Sequence, residues 1–414
     1  MLRRLISSAS FLGAATFALG GAGFALANVL LAAALSPAQF GLLSLIMALM
    51  WIGWACGPLG LDVVIKRHRP RVTMTLLRRA ATNAALVAAV IAIAAGAFYQ
   101  LEAAAGLLLF AGCTLAATNN IVAGVYQSRG EMGWALGLAQ SPNGVLLLLA
   151  IAAILSSLSN ATPILMGLVG GYLAANLLGW SRARHRQVEY AELEPRVALR
   201  EARASVSIGL ALQFLWQLER IAIPKLTSVD DLATYAVLAA VVGAPFKATQ
   251  VGVAFTLMQK LRNAASAGAA RMVLKHEIMV GALLVAGSIA GVLAIAPLVF
   301  HYLLHDKYVI SPALMTATLA VGVVRVVEGF STTAVTALGT ARSLGRLSAM
   351  GWISLGVATI GAILGSRHGL AGIVLGTLLG WLTLCAGGLV IGVHSFRLRF
   401  ARGGDEQDET PPEV

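Results

Sequence analysis

A chain of 414 residues that is 58% hydrophobic, only 12% charged and of mean hydropathy +0.82 is too apolar to be a water-soluble domain. Apolar runs of about 20 residues, enough to cross about 30 Å of hydrocarbon, recur along it, so it reads as an integral membrane protein without a sizeable soluble domain. The net charge of +12 does not indicate nucleic acid, because the basic residues lie in alternate loops between apolar spans instead of forming a stripe.

The spacing predicts twelve spans, at about 11–35, 40–65, 78–98, 104–127, 132–156, 163–181, 205–225, 232–258, 278–304, 312–338, 346–365 and 369–396. Runs of this length are helices, since a barrel would show alternating strands of about ten residues. The first span contains Ala25-Leu26-Ala27, which resembles a signal-peptidase site, but its apolar run continues to Leu35 and reads as a retained membrane helix. Cys56, Cys113 and Cys385 each stand alone in a span, with no CxxC spacing or His cluster, so small buried packing residues are expected and no metal site. The 44 glycines suit helices that approach closely in lipid.

With the N-terminus placed in the cytoplasm, 24 of the 30 Lys and Arg fall on that side and only Lys225, Lys307 and Arg367 on the other. This positive-inside split puts both termini in the cytoplasm. Arg220, Lys247 and Arg325 remain, and they lie within spans.

The longest cytoplasmic connection divides the chain into a six-helix bundle at 1–181, a linker at 182–204, a second six-helix bundle at 205–396 and a polar tail at 397–414. A shift of 192 residues lays the first two spans of one half on those of the other, aligning Ser36-Pro37-Ala38-Gln39 with Ser228-Val229-Asp230-Asp231. An even number of spans gives both halves the same orientation. The expected fold is therefore an all-α membrane protein, with two six-helix bundles related by a pseudo-twofold axis along the membrane normal and facing each other across a cleft.

Intramembrane charges mark function, because each costs about 2.5–3.5 kcal/mol at a helix centre, against about 0.3–0.6 returned by one Leu, Ile, Phe or Val. In "WQLERIAIP", Arg220 joins Gln213 and Gln217 at i, i+4 and i+7, one stripe of the seventh span; Glu219 lies about 100° away. Lys247 lies deep in the eighth span, with Gln250 nearby. Arg325 and Glu328 are three apart in the tenth, where they can pair with each other. In the first half Asn28 corresponds to Arg220 under the 192-residue shift, and Asn83, Asn119, Asn120 and Asn176 add softer polarity. Asp62 and Lys66 are spaced for an ion pair at the membrane edge. A cleft with three cations suits an anionic solute such as a phosphate. Arg220, Lys247, Arg325, Gln213, Gln217 and Asn28 are thus the candidate binding residues, and Glu219 and Glu328 the candidates for ion coupling or charge balance.

The segments "LSPAQFGLLSLIMA" and "GPLGLDVVIKR" resemble the opening of polysaccharide biosynthesis proteins of the O-antigen flippase type, in the multidrug and oligosaccharidyl-lipid exporter superfamily. "QLERIAIPKLTSVDDLATYAVLAAVVGAP" is similar to the start of that family's second half, with Glu219-Arg220 as its acidic-Arg pair and Ala233-Thr234-Tyr235 in place of the usual glycine form. The resemblance implies a transporter and not an enzyme, without a cofactor, in the bacterial cytoplasmic membrane. Its cargo would be a polyprenyl-diphosphate-linked glycan moved to the outer leaflet by alternating access, with Arg220, Lys247 and Arg325 on the diphosphate or acidic sugars. Membrane lipids, a glycan polymerase and glycosyltransferases are the implied partners. Rivals are a drug or small-solute antiporter on the same fold, a peptidoglycan-precursor flippase, and a membrane glycan polymerase or ligase. The last needs a larger outer loop than residues 305–311.

Overall fold

The computed structural model describes the backbone of residues 9–68, 73–185, 195–264 and 266–402. Its helices are α1 (Ala9–Ala34), α2 (Pro37–Cys56), α3 (Leu61–His68), α4 (Met74–Tyr99), α5 (Ala103–Ser128), α6 (Met132–Leu155) and α7 (Ala161–His185) in the first half. The second half holds α8 (Pro195–Leu226), α9 (Val229–Arg262), α10 (Ala267–Leu298), α11 (Pro312–Leu338), α12 (Ala341–Gly365) and α13 (Gly369–Arg402). Ten stretches among the described residues are long and apolar enough to span a membrane, and one of them, Arg342–Phe400, is the α12–α13 pair; α1 adds the apolar stretch Leu19–Ala34. Ala25-Leu26-Ala27 lies within α1.

Several span boundaries differ from expectation, and α10, for one, begins at Ala267 where 278 was expected. The second span breaks at Gly57-Pro58-Leu59-Gly60, where Leu59 and Gly60 take φ of +49° and +78°, and α3 leaves as a separate short helix. Helix α7 continues to His185 and α8 begins at Pro195, so much of the expected linker is helical; residues 186–194, and the tail beyond Arg402, lie outside the described residues.

The packing scheme repeats. In the first half α1 packs on α6, α2 on α5, α5 on α7 and α6 on α7; in the second α8 packs on α12, α9 on α11, α11 on α13 and α12 on α13. The repeat extends to capping: the Ser36 hydroxyl accepts from the Gln39 amide at 3.3 Å, and the Ser228 hydroxyl from the Asp231 amide at 3.0 Å. Both pairs are related by the 192-residue shift, and in each a side-chain oxygen satisfies an amide that the first helical turn leaves unbonded.

Small residues set the closest approaches. A Cβ at Gly361 or Gly376 would collide with the other's backbone carbonyl, and the same holds for Gly365 and Gly372, so α12 and α13 run antiparallel in backbone contact. The three cysteines are buried and free, as packing residues. Asparagines act as internal donors: Asn176 Nδ2 reaches the carbonyls of Leu115 and Tyr172, both at 2.8 Å, and Asn120 Nδ2 that of Trp54 at 3.2 Å. Asp62 and Lys66 pair at 3.4 Å, as their spacing predicts.

Candidate functional site

The halves meet where α9 packs on α1 and α2, α8 on α2, and α3 on α8. Inter-half hydrogen bonds among the described residues all lie on the face that bears the α1–α2 turn. There Lys307 Nζ donates to the Ala32 and Leu35 carbonyls, the Tyr308 hydroxyl to Ala32 O at 3.1 Å, and the Tyr99 hydroxyl to Ile221 O at 2.7 Å. On the same face Gly41 lies against the Val229 backbone so closely that a Cβ would clash. The opposite face, where Arg78, Arg79, Arg184, Arg342, Arg346, Arg397 and Arg399 gather, carries no such inter-half bond among the described residues. Hydrogen bonds therefore join the halves at the first face.

Helices α8, α9 and α11 bring the three predicted cations together: Arg220 is within electrostatic reach of Arg325, and Lys247 of both. They are not equivalent. Arg325 Nη2 donates to Glu219 Oε1 at 2.8 Å, and its guanidinium lies 4.6 Å from the ring centres of both Trp216 and Trp381. The two rings meet edge-on at 5.2 Å, and the Thr377 hydroxyl gives Glu219 a second hydrogen bond at 3.1 Å. Glu219 is only 1% exposed. The expected Arg325–Glu328 pairing is corrected: Glu328 accepts from Gln250 Nε2 at 3.1 Å, while Arg325 turns to α8. Positions three apart on α11 diverge by about 60°, enough to send one side chain to α8 and the other to α9.

With Arg325 neutralised, Arg220 and Lys247 are the remaining cationic groups. Neither forms an ion pair or hydrogen bond among the described residues. Lys247 is exposed although it lies in mid-helix, and its ammonium stands 5.3 Å from the ring centre of Trp51, on α2 of the other half. The Arg220 side chain is half-buried, with the Tyr235 hydroxyl within its electrostatic reach. Pro224 cannot donate the helical hydrogen bond to the Arg220 carbonyl, which loosens the helix beside this residue.

The other predicted residues divide. Gln213 and Gln217 keep their place on the Arg220 stripe, half-buried, and Gln217 Oε1 has no hydrogen-bond partner. Asn28 is 2% exposed and donates to Phe24 O on its own helix at 2.8 Å. Sequence reasoning missed Trp51, Trp216 and Trp381. Their signal was depth: tryptophans in membrane helices favour the interfaces, and these sit well inside their spans.

No family model matches the chain, and no curated protein matches it in sequence. Solved structures do match. A structure described as the inward-facing conformation of a multidrug resistance MATE family transporter of the MOP superfamily aligns with a TM-score of 0.67 at 14% identity, over 94% of this chain and 96% of that one. The lipid II flippase MurJ in an inward closed conformation aligns at 0.62 and 13% identity, over 98% of this chain and 93% of that one. An outward-facing MATE transporter structure gives 0.56 at 14% identity, over 97% and 98% of the two chains. The protein thus has the all-helical, two-bundle fold shared by these MATE and MurJ structures.

Proposed function

We propose that the protein is a flippase that moves a polyprenyl-diphosphate-linked oligosaccharide across the bacterial cytoplasmic membrane by alternating access, for surface polysaccharide synthesis. The observation that supports this reading is the pair Arg220 and Lys247, two neighbouring cations without ion-pair partners among the described residues, with Lys247 against Trp51 of the other half. A forked guanidinium and a mobile ammonium suit a diphosphate, and Trp51 beside Lys247 offers a flat ring for a sugar face. If the basic face is cytoplasmic, as the positive-inside distribution suggests, the contacts at Lys307, Tyr308 and Tyr99 join the halves on the outer side. Glycosyltransferases would supply such a substrate and a glycan polymerase would consume it.

A drug antiporter on this fold would need a carboxylate exposed to a cationic solute. Glu219 and Glu328 are 1% and 3% exposed and each has a hydrogen-bond partner, which favours the anionic reading. The test is reconstitution: liposomes containing the protein should move a fluorescent polyprenyl-diphosphate sugar between leaflets. Export of a cationic dye with no lipid-linked sugar movement would overturn the proposal.

A further inference from the structure

A cavity of about 620 Å³ opens on the basic face of the second half, between the ends of α11 and α13 and the start of α12. It is lined by Leu338 and Gly339 at the end of α11, Thr340, Arg342, Ser343 and Arg346 at the start of α12, and His394, Ser395, Leu398 and Arg399 near the end of α13. No lining residue is acidic, and Arg342, Arg346 and Arg399 form no ion pair among the described residues. The floor is polar and fixed: Ser343 and Ser395, 3% and 2% exposed, share a hydrogen bond at 3.0 Å, and Thr340 caps α12 through the Ser343 amide.

The position of the cavity identifies its ligand. Val390, His394 and Leu398 recur at four-residue spacing on α13, so the cavity wall continues directly into the helix face that holds Val390, at 72% exposure. Val393 and Leu389 widen that apolar column, and Ile353 extends another from Arg346 along α12. Val390 lies about 6 Å deeper than His394, at 1.5 Å per residue. An anionic pocket-filler with hydrocarbon attached satisfies both features, whereas a soluble anion leaves the columns uncovered. We propose that this cavity binds the phosphate headgroup of an anionic phospholipid, with Arg342, Arg346 and Arg399 around the phosphate and the acyl chains along Val390 and Ile353. Basic pockets between membrane helices suit such headgroups in general. The inference stands apart from the cleft and from the substrate proposed for it.

The test reads lipid binding and not transport. The full chain is reconstituted in phosphatidylcholine vesicles that contain spin-labelled phosphatidylglycerol, or spin-labelled phosphatidylcholine as the zwitterionic reference, and the immobilised lipid fraction is measured. The intact protein should hold the anionic label selectively. Each arginine near an anionic headgroup is worth roughly a factor of five, so Arg342→Gln/Arg346→Gln/Arg399→Gln should weaken the selective component about a hundredfold. The corresponding triple lysine variant should keep most of it, which guards against misfolding of the glutamine form. Arg78→Gln/Arg79→Gln, on the same face but outside the cavity, should leave it unchanged. Equal loss from both glutamine variants, equal retention of the two labels, or displacement by soluble glycerol phosphate would overturn the proposal. So would selective binding that occurs only after residues 403–414 are deleted, because the acidic tail would then be the occupant in the intact chain.

Discussion

Glu219 and Arg325 lie 106 residues apart and form one ion pair at 2.8 Å that ties α8 to α11 at the edge of the cleft. The pair is enclosed by Trp216, Trp381 and Thr377, so α13 joins the same cluster. Removing one member of a buried pair leaves the other as an uncompensated charge, at a cost of about 3–5 kcal/mol. Glu219→Leu or Arg325→Met alone should therefore lower the melting temperature of the purified protein sharply. The double variant should recover most of the loss. If Arg325 serves structure and not substrate, the double variant also keeps translocation in liposomes; loss of transport with normal stability would return Arg325 to the binding set.

Arg220 and Lys247 should behave in the opposite way. Neither is held by an ion pair, so removing them deletes no native contact of that kind. Arg220→Ala/Lys247→Ala is expected to melt within about 1 kcal/mol of the parent, the range of mild substitutions, and to lose lipid-linked sugar translocation. Lys247→Arg should retain activity, since a cation remains beside Trp51. Full transport by the double alanine variant, properly inserted, would remove the cationic cleft from the mechanism.

Closure of the cleft rests on a different lysine. The Lys307 ammonium reaches the last carbonyls of α1, where the helix dipole places partial negative charge, and Tyr308 and Tyr99 add neighbouring bonds. Gly41 lets α2 meet the backbone at Val229 in the same layer. Lys307→Met should weaken closure by about 0.3–1 kcal/mol, and Gly41→Val should prevent it. A cysteine placed at Ala32, buried in the closed layer, reports this by its reaction with a membrane-impermeant thiol reagent, because the three native thiols are buried as well. Labelling should rise modestly in the lysine variant and strongly in the glycine variant; unchanged labelling in both would show that these contacts do not hold the face shut.

Much of this arrangement was legible in the sequence because the bilayer imposes a length, and helices alone satisfy the backbone over that length. The repeat was legible at Ser36 and Ser228, whose capping chemistry recurs at a fixed shift. The break after Cys56 also had a signal, Gly57-Pro58-Leu59-Gly60, which the surrounding hydropathy masked. The choice of partner for Arg325 had none. Glu328, three residues away, was the local candidate, whereas the actual carboxylate arrives from another helix through tertiary packing. Nor could the sequence show that the Asn28 amide, matched to Arg220 by the repeat, turns back to the Phe24 carbonyl on its own helix.

Pro142 and Asn119 are coupled in the core of the first half. Pro142 has no amide hydrogen for the Leu138 carbonyl, its helical partner four residues earlier. That carbonyl instead accepts from Asn119 Nδ2 at 2.8 Å, on α5, and from the Ser141 hydroxyl at 2.9 Å. Asn119 is 1% exposed, so the bond replaces a main-chain interaction that lipid could not supply. Asn119→Leu should cost about 1–3 kcal/mol, by leaving a buried acceptor under-satisfied. Pro142→Ala restores the main-chain donor and makes the Asn119 bond redundant. In the Pro142→Ala background Asn119→Leu should therefore cost measurably less, and a double-mutant cycle on the unfolding free energy reads the difference directly. Equal costs in the two backgrounds would mean that Asn119 stabilises by packing alone.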